Sequence, residues 1–578
     1  MSRLSQISLA PVWVALAAAL IALCWLLPNH SDPWTSFHSD AWLAAVLAII
    51  GLVVLVRGRQ DFAWHGLVLP VALFLPLPFL QNAFGLLPFA GQAWTATAYI
   101  LALLLAMLIG QQWQAWRPNW MGDILFSGIG IAALASVALQ IQQWLGSADA
   151  QTLNIWAVGS NGVRPAANLA QANQLATLLL WGLLACGWGV WRKQLGAAVA
   201  TLAAAFLLLG LAMTQSRSGM LGLFVMILGG WWWRRLWAAK NVAWHVGGLT
   251  VFYALAVMAL PTLRRVLLLD APGSMVRGLG YELRPELWRT LIDAAWQRPW
   301  FGYGWQQVFP AQVAATERHA PLHHPFMQSH NLFLDFVLWF GIPLGLLLTG
   351  CILAWLIAAA RRVRGPADAL FFLFVLVIGV HAMLEFPLHY GYFLLPTGLV
   401  LGALNWRLKI WPLALPSLLT GRPMLLGIWC VGAALLGLIA RDYFQVEERY
   451  VSLQLERSQI QGSHPAEPPD VLLLTQLREA QRFMKYQPTA GVGVDELQWA
   501  RDAMLVWPSS RSFMTLAIVM GLNHRPYEAR EWLVKMCSIV PRDQCEAGPA
   551  RWAQAQKLHP ELTAIEWPLG AAVPKPLP

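Results

Sequence analysis

Charged residues are scarce in this sequence. Asp, Glu, Lys and Arg together make up 12% of the 578 residues, about half of the roughly 25% typical of soluble domains. Hydrophobic residues make up 58%, and the mean hydropathy is +0.53. Soluble domains are roughly 45–50% apolar, so this composition excludes an ordinary soluble protein and predicts a polytopic membrane protein.

The sequence also lacks the alternating ten-residue segments of a membrane β-barrel. Its apolar runs have lengths of about 17 to 25 residues, which suit helices that cross a hydrocarbon core of roughly 30 Å. We therefore predict an all-α membrane protein with twelve or thirteen transmembrane helices, the first of them a span and not a cleavable signal. The thirteen candidate spans lie at about 10–28, 41–56, 66–80, 94–110, 121–143, 170–190, 195–214, 219–233, 243–263, 331–360, 368–387, 390–406 and 423–440.

Cysteine is rare, with six residues in the chain. Cys537 and Cys545 lie in the polar tail and would pair if that tail faces an oxidising compartment. The other four are expected to act as small hydrophobic residues within apolar runs; they are Cys24, Cys186, Cys351 and Cys430.

Basic residues are almost absent from every second short connection between spans. Those connections hold two, Arg164 and Arg217, whereas the alternate loops and the N-terminus hold fifteen. The positive-inside rule places the fifteen in the cytoplasm. Four regions then follow: N-terminal spans over 1–264, a long periplasmic loop over 265–330, C-terminal spans over 331–440 and a periplasmic tail over 441–578.

The tail from residue 441 carries 15 Lys/Arg and 16 Asp/Glu, a formal charge of −1. The protein's net charge of +10 therefore comes from the membrane part and does not indicate nucleic-acid binding. Helical patterns at 471–486 and 527–540 predict a small α-helical module in the tail. A tetratricopeptide-like stack is an alternative, although no clean repeat near 34 residues is present.

Polar residues gather at the predicted outer ends of the spans. Ionisable groups at membrane depth are costly and usually belong to a site or a pathway. On the predicted topology all five polar clusters face the same side. They are NLAQANQLATLLL (168–180), TQSRSGML (214–221), the loop segment 281–309, HHPFMQSHNLFLDFVLWFGIPLG (323–345) and HAMLEFPLHYGYFLLP (381–396).

Three arginines are candidates for binding an anion. Arg217 lies in a short outer turn, where it either snorkels to the lipid headgroups or binds an anion. Arg284 and Arg289 lie five residues apart on a predicted helix and are either a solvated face or a phosphate site. A guanidinium fork matches a phosphate or diphosphate well.

The remaining candidates are His330, Asn331 and polar residues near the other span ends. His330 is either a residue of the helix start or a general base for an acceptor hydroxyl. Asn331 is either a helix cap or a partner of that base. The spacing of four residues between His381 and Glu385 predicts an intramembrane pair. Tyr390 and Tyr392 are predicted to lie at the membrane interface.

The sequence has no phosphate-binding loop of the nucleotide-binding type and no carboxylate-rich metal site. Gly302 and Gly304 in WFGYGW indicate a tight turn, because a phosphate loop needs more glycines and a following lysine. The histidines of the outer loop match no zinc spacing, and no cysteine lies near them. Outward arginines, a histidine and amide groups favour glycosyl transfer from a lipid diphosphate, without a cofactor or a metal.

The segments RPELWRTLIDAAWQRPWFGYGWQQVF (284–309) and HNLFLDFVLWFGIPLG (330–345) resemble the core of the O-antigen ligase and polymerase superfamily, which would cover about 214–401. The segment NLAQANQLATLLL and the tail after residue 441 resemble the bacterial protein O-oligosaccharyltransferases of the pilin-glycosylase type. This resemblance implies an inverting glycosyltransferase of the bacterial inner membrane. Its donor would be an undecaprenyl-diphosphate-linked oligosaccharide, and its acceptor a Ser or Thr of a pilin-like periplasmic protein.

The resemblance also implies roles for residues. His330 matches the family's essential histidine, and Arg217 and Arg284 match its diphosphate-binding arginines. Gln171 matches the glutamine of a Gln-Pro-Asn element, in which this chain has Ala172 in place of proline.

We therefore predict a catalytic His330 assisted by Asn331, and a diphosphate site at Arg217, Arg284 and Arg289. The residues that orient substrate would be Gln171, Asn173, Tyr390 and Tyr392. Four alternatives stay open: a ligase acting on a lipid A core, an O-antigen polymerase, a lipid or sugar transporter, and a structural scaffold of the envelope.

Overall fold

The computed structural model describes residues 10–58, 64–145, 156–158, 164–169, 171–237, 242–267, 269, 283–413, 421–460 and 467–568. In these ranges the chain is helical and contains no β-strand, which confirms the all-α class; Trp64 and Leu413 form an isolated bridge. Arg3, Arg59 and Lys240, which contribute to the predicted orientation, lie outside the described residues, as do residues 268 and 270–282 of the predicted loop.

The helices of the first part of the chain are α1 Ala10–Leu26, α2 Phe37–Arg57, α3 Val68–Leu73, α4 Leu77–Ala83, α5 Ala90–Trp116, α6 Trp120–Trp144, α7 Ala172–Trp191, α8 Ala197–Thr214, α9 Arg217–Trp232 and α10 Val242–Val266. Those of the second part are α11 Arg284–Gln297, α12 Val308–Ala315, α13 Leu332–Phe340, α14 Ile342–Ala360, α15 Pro366–Ala382, α16 Gly391–Leu408, α17 Arg422–Arg457, α18 Thr475–Met484, α19 Val494–Val506, α20 Ser510–Leu522, α21 Pro526–Ile539, α22 Arg542–Glu546 and α23 Gly548–Leu558.

Each of the thirteen predicted spans coincides with helix. Eight helices of the described residues are long and apolar enough to cross a membrane: α2, α5, α6, α7, α8, α10, α14 and α17. The predicted third span is divided between the short helices α3 and α4, and the predicted tenth is interrupted at Gly341 between α13 and α14. The last span continues past the predicted end at residue 440 to Arg457.

The chain folds into two compact units, each made of three chain segments. The first unit contains the described residues of 1–73, 99–280 and 352–436, and the second those of 74–98, 281–351 and 437–578. These units differ from the predicted regions, because the described residues of 281–330 and of the tail fall into one unit with the segment 74–98.

In the first unit α7 is the central helix. It packs against α6, α8, α9 and α15, and its indole at Trp181 stacks on Phe374 with ring centroids 3.8 Å apart. The Trp181 Nε1 group also donates to the Phe374 carbonyl at 3.1 Å. A helix that is apolar on all sides suits such a buried, central position.

Small residues let α5 and α16 approach closely in the first unit. A Cβ atom at Gly402 would collide with the Met107 carbonyl, and one at Gly110 would collide with the Leu399 carbonyl. Membrane helices gain most of their association energy from such close packing, since lipid tails are as apolar as leucine.

In the second unit the long loop and the tail share a core. Phe309 and Val313 of α12 are buried with residues of α20 and α21, and the Phe309 and Phe513 rings meet edge to face at 6.4 Å. The His323 backbone N–H donates to the Ser538 carbonyl at 3.0 Å. The loop segment just before His330 is therefore attached to the tail.

The described tail consists of helices that pack on their chain neighbours, α18 on α19, α19 on α20 and α20 on α21. Cys537 and Cys545 form a disulfide with their Cα atoms 4.9 Å apart. The pairing that the sequence allowed is thus present in the structure, where it ties α21 to α22.

The turn over 300–304 requires glycine at residue 302. Gly302 has a φ of +67°, and a Cβ there would collide with the Leu338 carbonyl. Next to it the Tyr303 N–H donates to the same carbonyl at 2.7 Å. The tight-turn interpretation of this glycine agrees with the structure.

Replacing Gly302 with alanine should destabilise the second unit by about 1–3 kcal/mol, since it adds both backbone strain and a clash. The measurement is the apparent Tm of the purified protein in detergent. Gly350→Ala is the matched control, because a Cβ there meets nothing within 4 Å and lies inside α14. Equal Tm values for the two variants would contradict the assigned clash.

Candidate active site

Asn173, in the first turn of α7, is the centre of a polar network in the first unit. Its amide nitrogen donates to Glu385 Oε1 at 2.8 Å. Its amide oxygen accepts from the Arg164 guanidinium at 3.1 Å and from the Ser216 hydroxyl at 2.8 Å. The segments before α7, between α8 and α9, and after α15 are therefore joined by one side chain.

The turn between α8 and α9 presents Arg217 beside this network. Ser216 caps α9 by accepting from the Gly219 N–H at 3.0 Å, and Arg164 Nε donates to the Thr214 carbonyl at 2.7 Å. Arg217 is the first residue of α9 and is exposed. A helix N-terminus with an arginine favours an anion, so the turn is suited to a phosphate group.

The last turn of α15 and the segment that follows it place two buried side chains, His381 and Glu385, against α7. The His381 imidazole Nδ1 lies 2.7 Å from the Thr177 hydroxyl, and Glu385 binds Asn173 as described above. The two side chains predicted as an i, i+4 pair thus each have a partner on α7.

Tyr390 and Tyr392 flank the start of α16, and their rings stack at 5.3 Å. Tyr392 is fully buried; its hydroxyl donates to Gln174 Oε1 at 2.7 Å, and its backbone N–H donates to Asp40 Oδ1 at 3.1 Å. A side chain this deeply buried orients a substrate only through its neighbours. Tyr390 is partly exposed, and its direct contact with a substrate stays a prediction.

Gln171 lies at the N-cap position of α7 with an extended backbone, and its side chain does not cap the helix. The helix begins at Ala172, where the resembling family has proline. Since proline is only one of several residues that suit the first helical position, the departure leaves the helix start in its expected place.

Four residues of this region were missed as site candidates from sequence. Arg164 and Ser216 bind Asn173, Gln174 binds Tyr392, and Asp40 of α2 accepts hydrogen bonds from the hydroxyls of Ser36 and Tyr99, both at 2.7 Å. The available signal was polarity in unexpected places: Asp40 precedes a long apolar run, and Arg164 is one of the two basic residues in the outer connections.

His330 lies in the second unit, at the turn that leads into α13. Its φ is +59°, a conformation uncommon outside glycine and often found at functional sites. Its ring lies edge-on to Phe326 at 5.8 Å, and it is partly exposed. The turn therefore presents the imidazole in a fixed backbone geometry.

The residues around His330 hold this turn through hydrogen bonds. The Ser329 N–H donates to Asp335 Oδ1 at 3.1 Å, and the Ser329 carbonyl accepts from Trp288 Nε1 at 2.8 Å. The Asn331 side chain caps α13 by accepting from the N–H groups of Phe333 and Leu334, both at 3.1 Å. Of the two roles considered for Asn331, the structure shows the helix cap, and assistance to His330 stays a prediction.

The other loop histidines have their own neighbours. The His319 ring lies 3.2 Å from an Asp293 carboxyl oxygen, and the His324 ring packs edge-on to Phe326 at 4.6 Å. Desolvation, together with the nearby charge of His330, lowers the pKa of His324.

Arg284 and Arg289 lie on α11, as predicted, but on different faces. Five residues correspond to about 140° of rotation around an α-helix. Arg284 is half-buried at the helix start, whereas Arg289 is exposed. The two side chains therefore leave α11 from different sides, and their binding of a diphosphate stays a prediction.

Three protein families match successive parts of the chain. A protein glycosylation ligase model matches residues 165–188, an O-antigen ligase model matches 202–349, and the C-terminal region of a virulence factor membrane-bound polymerase matches 369–555. The chain is 29% identical over 555 residues to the general O-oligosaccharyltransferase of Acinetobacter baylyi (strain ATCC 33305 / BD413 / ADP1), covering 91% of this chain and 92% of that protein.

The chain is therefore similar to O-oligosaccharyltransferases along most of its length and to the O-antigen ligase family over 202–349. A second relative is the ComP-specific O-oligosaccharyltransferase of the same organism, 25% identical over 391 residues, which cover 66% of this chain and 68% of that protein. The family resemblance predicted from sequence is confirmed.

The matched segments of this chain contain the predicted site residues. The first match holds Gln171 and Asn173, and the O-antigen ligase match holds Arg217, the two α11 arginines, His330 and Asn331. Among the described residues no group of three or more His, Cys, Asp or Glu side chains is arranged to hold a metal ion.

Proposed function

We propose that this protein transfers an oligosaccharide en bloc from an undecaprenyl-diphosphate carrier to a Ser or Thr hydroxyl of a periplasmic protein such as a pilin. The observation that carries the proposal is the 29% identity with a general O-oligosaccharyltransferase, which extends over 91% of the chain and so includes the tail. A match restricted to the membrane core would support a lipid-directed ligase equally well.

The predicted topology supports a site on the periplasmic side of the inner membrane. Asn173, Arg217 and Glu385 all lie at ends of the first unit's helices that are opposite the basic loops. At the other ends Arg192 forms a two-pronged ion pair with Asp123, with bonds of 2.8 and 2.9 Å, and Arg407 pairs with Asp368. On the positive-inside rule, those basic ends are cytoplasmic.

In the proposed reaction the acceptor hydroxyl oxygen attacks the anomeric carbon of the first sugar. The bond from that carbon to the diphosphate oxygen breaks, and its electron pair leaves with the lipid diphosphate. His330 accepts the hydroxyl proton as the new C–O bond forms. Direct attack of this kind inverts the configuration at the anomeric carbon.

Arg217 acts on the leaving group in this mechanism. Negative charge builds on the diphosphate as the glycosidic bond breaks, and a positioned guanidinium stabilises that charge more in the transition state than in the ground state. Asn173 shapes the turn through Ser216, while Gln171 and Tyr390 orient the sugar or the acceptor.

The tail favours a protein acceptor over a lipid A core. It packs on the loop that leads to His330, through Phe309 of α12 and the hydrogen bond between His323 and Ser538. An acceptor protein bound by the tail would be held on the same compact unit as the proposed base.

A ligase or polymerase is the second candidate. The specific observation in its favour is that models named for an O-antigen ligase and a membrane-bound polymerase match 202–349 and 369–555. These activities use the same donor chemistry and differ in the acceptor.

The test is co-expression of the full-length protein with a pilin-like acceptor in cells that supply a lipid-linked glycan, followed by mass spectrometry of the acceptor. We expect one intact glycan on a Ser or Thr. Modified lipid A core, or a lengthened lipid-linked glycan with an unmodified acceptor, would replace the proposal with the ligase or the polymerase.

Replacing Arg217 with alanine is expected to lower the rate of transfer by roughly 10²–10³-fold, the usual cost of removing one group that stabilises transition-state charge. Arg217→Lys should recover part of the rate, since it keeps the charge but loses the fork. The measurement is the initial rate with saturating donor in membranes that contain equal amounts of protein.

Arg511→Ala is the matched control for this experiment. Arg511 is an exposed arginine in the first turn of α20, which is capped by Ser509 as α9 is capped by Ser216. A similar loss of rate in both variants would show that Arg217 has no special part in the reaction.

A further inference from the structure

Helix α11 exposes an apolar stripe that its own unit does not cover. The exposed fractions are 49% for Ile292, 68% for Trp296, 71% for Trp300 and 76% for Phe301. Ile292 and Trp296 are four residues apart and so lie on one side of the helix, and the chain leaves α11 toward Trp300 and Phe301. Large aromatic side chains in such a row mark a surface that meets a partner or a membrane.

The opposite side of α11 is already used. Leu287, Leu291 and Ala294 are fully buried and pack in one cluster with Leu338 and Phe340 of α13. The exposed stripe is therefore not the side of α11 that packs within the second unit. It is a second apolar face on a helix whose first face already fixes its position.

The structure also shows at which end of a membrane span this stripe lies. The backbone N–H of Ile342, the first residue of α14, donates to the Pro299 carbonyl at 2.7 Å. Gly341 lies directly against the Trp300 backbone. Trp300 and Phe301 are thus held where α14 begins, and α14 is long and apolar enough to cross a membrane.

The start of a membrane span lies at the boundary between lipid and water, where tryptophan is enriched because its ring is apolar and its N–H is polar. The basic residues near the stripe are also typical of the boundary between lipid and water. Arg289 and Arg298 are exposed at the two ends of the Ile292–Trp296 row. Arginine binds lipid phosphate groups readily.

We propose that α11 lies in the membrane interface, with Ile292, Trp296, Trp300 and Phe301 inserted among the lipids and Arg289 and Arg298 near headgroup phosphates. Helices of this kind lie in the plane of the membrane with the apolar face immersed by roughly 5–10 Å. The contact anchors the long loop that leads to His330. It rests on the membrane nature of the chain and does not depend on the proposed transfer reaction.

The test is depth-dependent quenching on the full-length protein in phosphatidylcholine nanodiscs. The four free cysteines are replaced by alanine while the Cys537–Cys545 disulfide is kept, and Trp296→Cys is labelled with the fluorophore NBD. Lipids with a nitroxide on the first carbons of the acyl chain quench a label in the interface, and aqueous iodide quenches a label in water. We expect a greater loss of emission with the lipid quencher than with iodide.

The control label is placed by Tyr527→Cys, because Tyr527 is 81% exposed on α21 of the tail. Iodide should quench this label, and the lipid quencher should not. Ile292→Cys with the same label tests a second position of the stripe. The lipid quencher and iodide should affect it as they affect position 296. Iodide quenching at both stripe positions, equal to that at 527, would overturn the inference and leave the stripe as a surface for a protein partner.

The outcome is separable from the proposed function. A protein that transfers no glycan but shows lipid quenching at position 296 keeps the interfacial helix and loses the reaction. An active transferase with a water-exposed stripe loses the interfacial helix alone.

Discussion

Alanine in place of His330 is expected to reduce glycan transfer by roughly 10²–10⁴-fold, the usual contribution of a positioned general acid or base. The imidazole is the proposed acceptor of the hydroxyl proton, and alanine has no group that could accept it. The loss should appear in the rate at saturating donor and acceptor. It is measured as glycosylated acceptor per unit time in membranes with equal protein levels.

The main alternative cause of such a loss is a change in the backbone. His330 has a φ of +59°, and alanine tolerates that conformation less well than histidine does. His524 provides a matched control for the backbone, since it is an exposed histidine with a φ of +62° between α20 and α21. His524→Ala should keep nearly full activity, and equal losses in both variants would assign the effect to folding.

The hydrogen bonds that hold the His330 turn explain why a strained residue persists there. Trp288 binds the Ser329 carbonyl, Asp335 binds the Ser329 N–H, and Asn331 caps α13. Backbone strain survives where the surroundings over-determine it, and such places are often functional. Full activity of His330→Ala would remove the proposed base and leave this turn as a structural feature.

Asn173→Asp is expected to destabilise the protein by about 3–5 kcal/mol and to abolish transfer. The substitution replaces the amide nitrogen that donates to Glu385 with an oxygen, so two carboxyl groups face each other at a distance of 2.8 Å in the present structure. Glu385 is 5% exposed, and a buried charge without its partner is severely destabilising. The apparent Tm in detergent and the transfer rate measure the two effects.

The decisive control is the exchange of both groups. In the double variant Asn173→Asp with Glu385→Gln, the amide donates and the carboxylate accepts across the same contact, and the summed charge is unchanged. The new carboxylate at position 173 would also face the Arg164 guanidinium, which binds the Asn173 oxygen in this structure.

We expect the double variant to recover part of the Tm that Asn173→Asp loses, with a coupling energy within the roughly 0.5–3 kcal/mol seen for contacting residues. A double variant as unstable as the sum of the two single variants would show that the contact does not hold the network. If stability returns without activity, the amide itself is needed by the substrate, as its predicted orienting role implies.

The sequence predicted the helical content because the same property, long apolar runs, determines both membrane insertion and helix formation. Without water, a backbone in the bilayer must satisfy its own hydrogen bonds, and a helix does this locally. The thirteen predicted segments coincide with helices for this reason. The interruption at Gly341 was not predicted, because it depends on the contacts of Gly341 with Pro299 and Trp300.

The candidate site was predicted in part. Asn173, Arg217, Glu385 and His330 stood out as polar residues at span ends, a property visible in the sequence. The sequence left two roles open for Asn331, of which the structure shows the helix cap. The burial of Tyr392 was not visible, since complete burial is a property of the folded chain.

The sequence by itself determined that this chain is a helical membrane protein, which family it resembles and which residues are candidates for chemistry. Composition, run length and motif order carry that information locally. Tertiary structure alone decided which partners those residues have: Asn173 and Glu385 are 212 residues apart and Tyr392 and Asp40 are 352 apart. Hydrogen bonds act over about 3 Å, so such pairs exist only after the helices have packed.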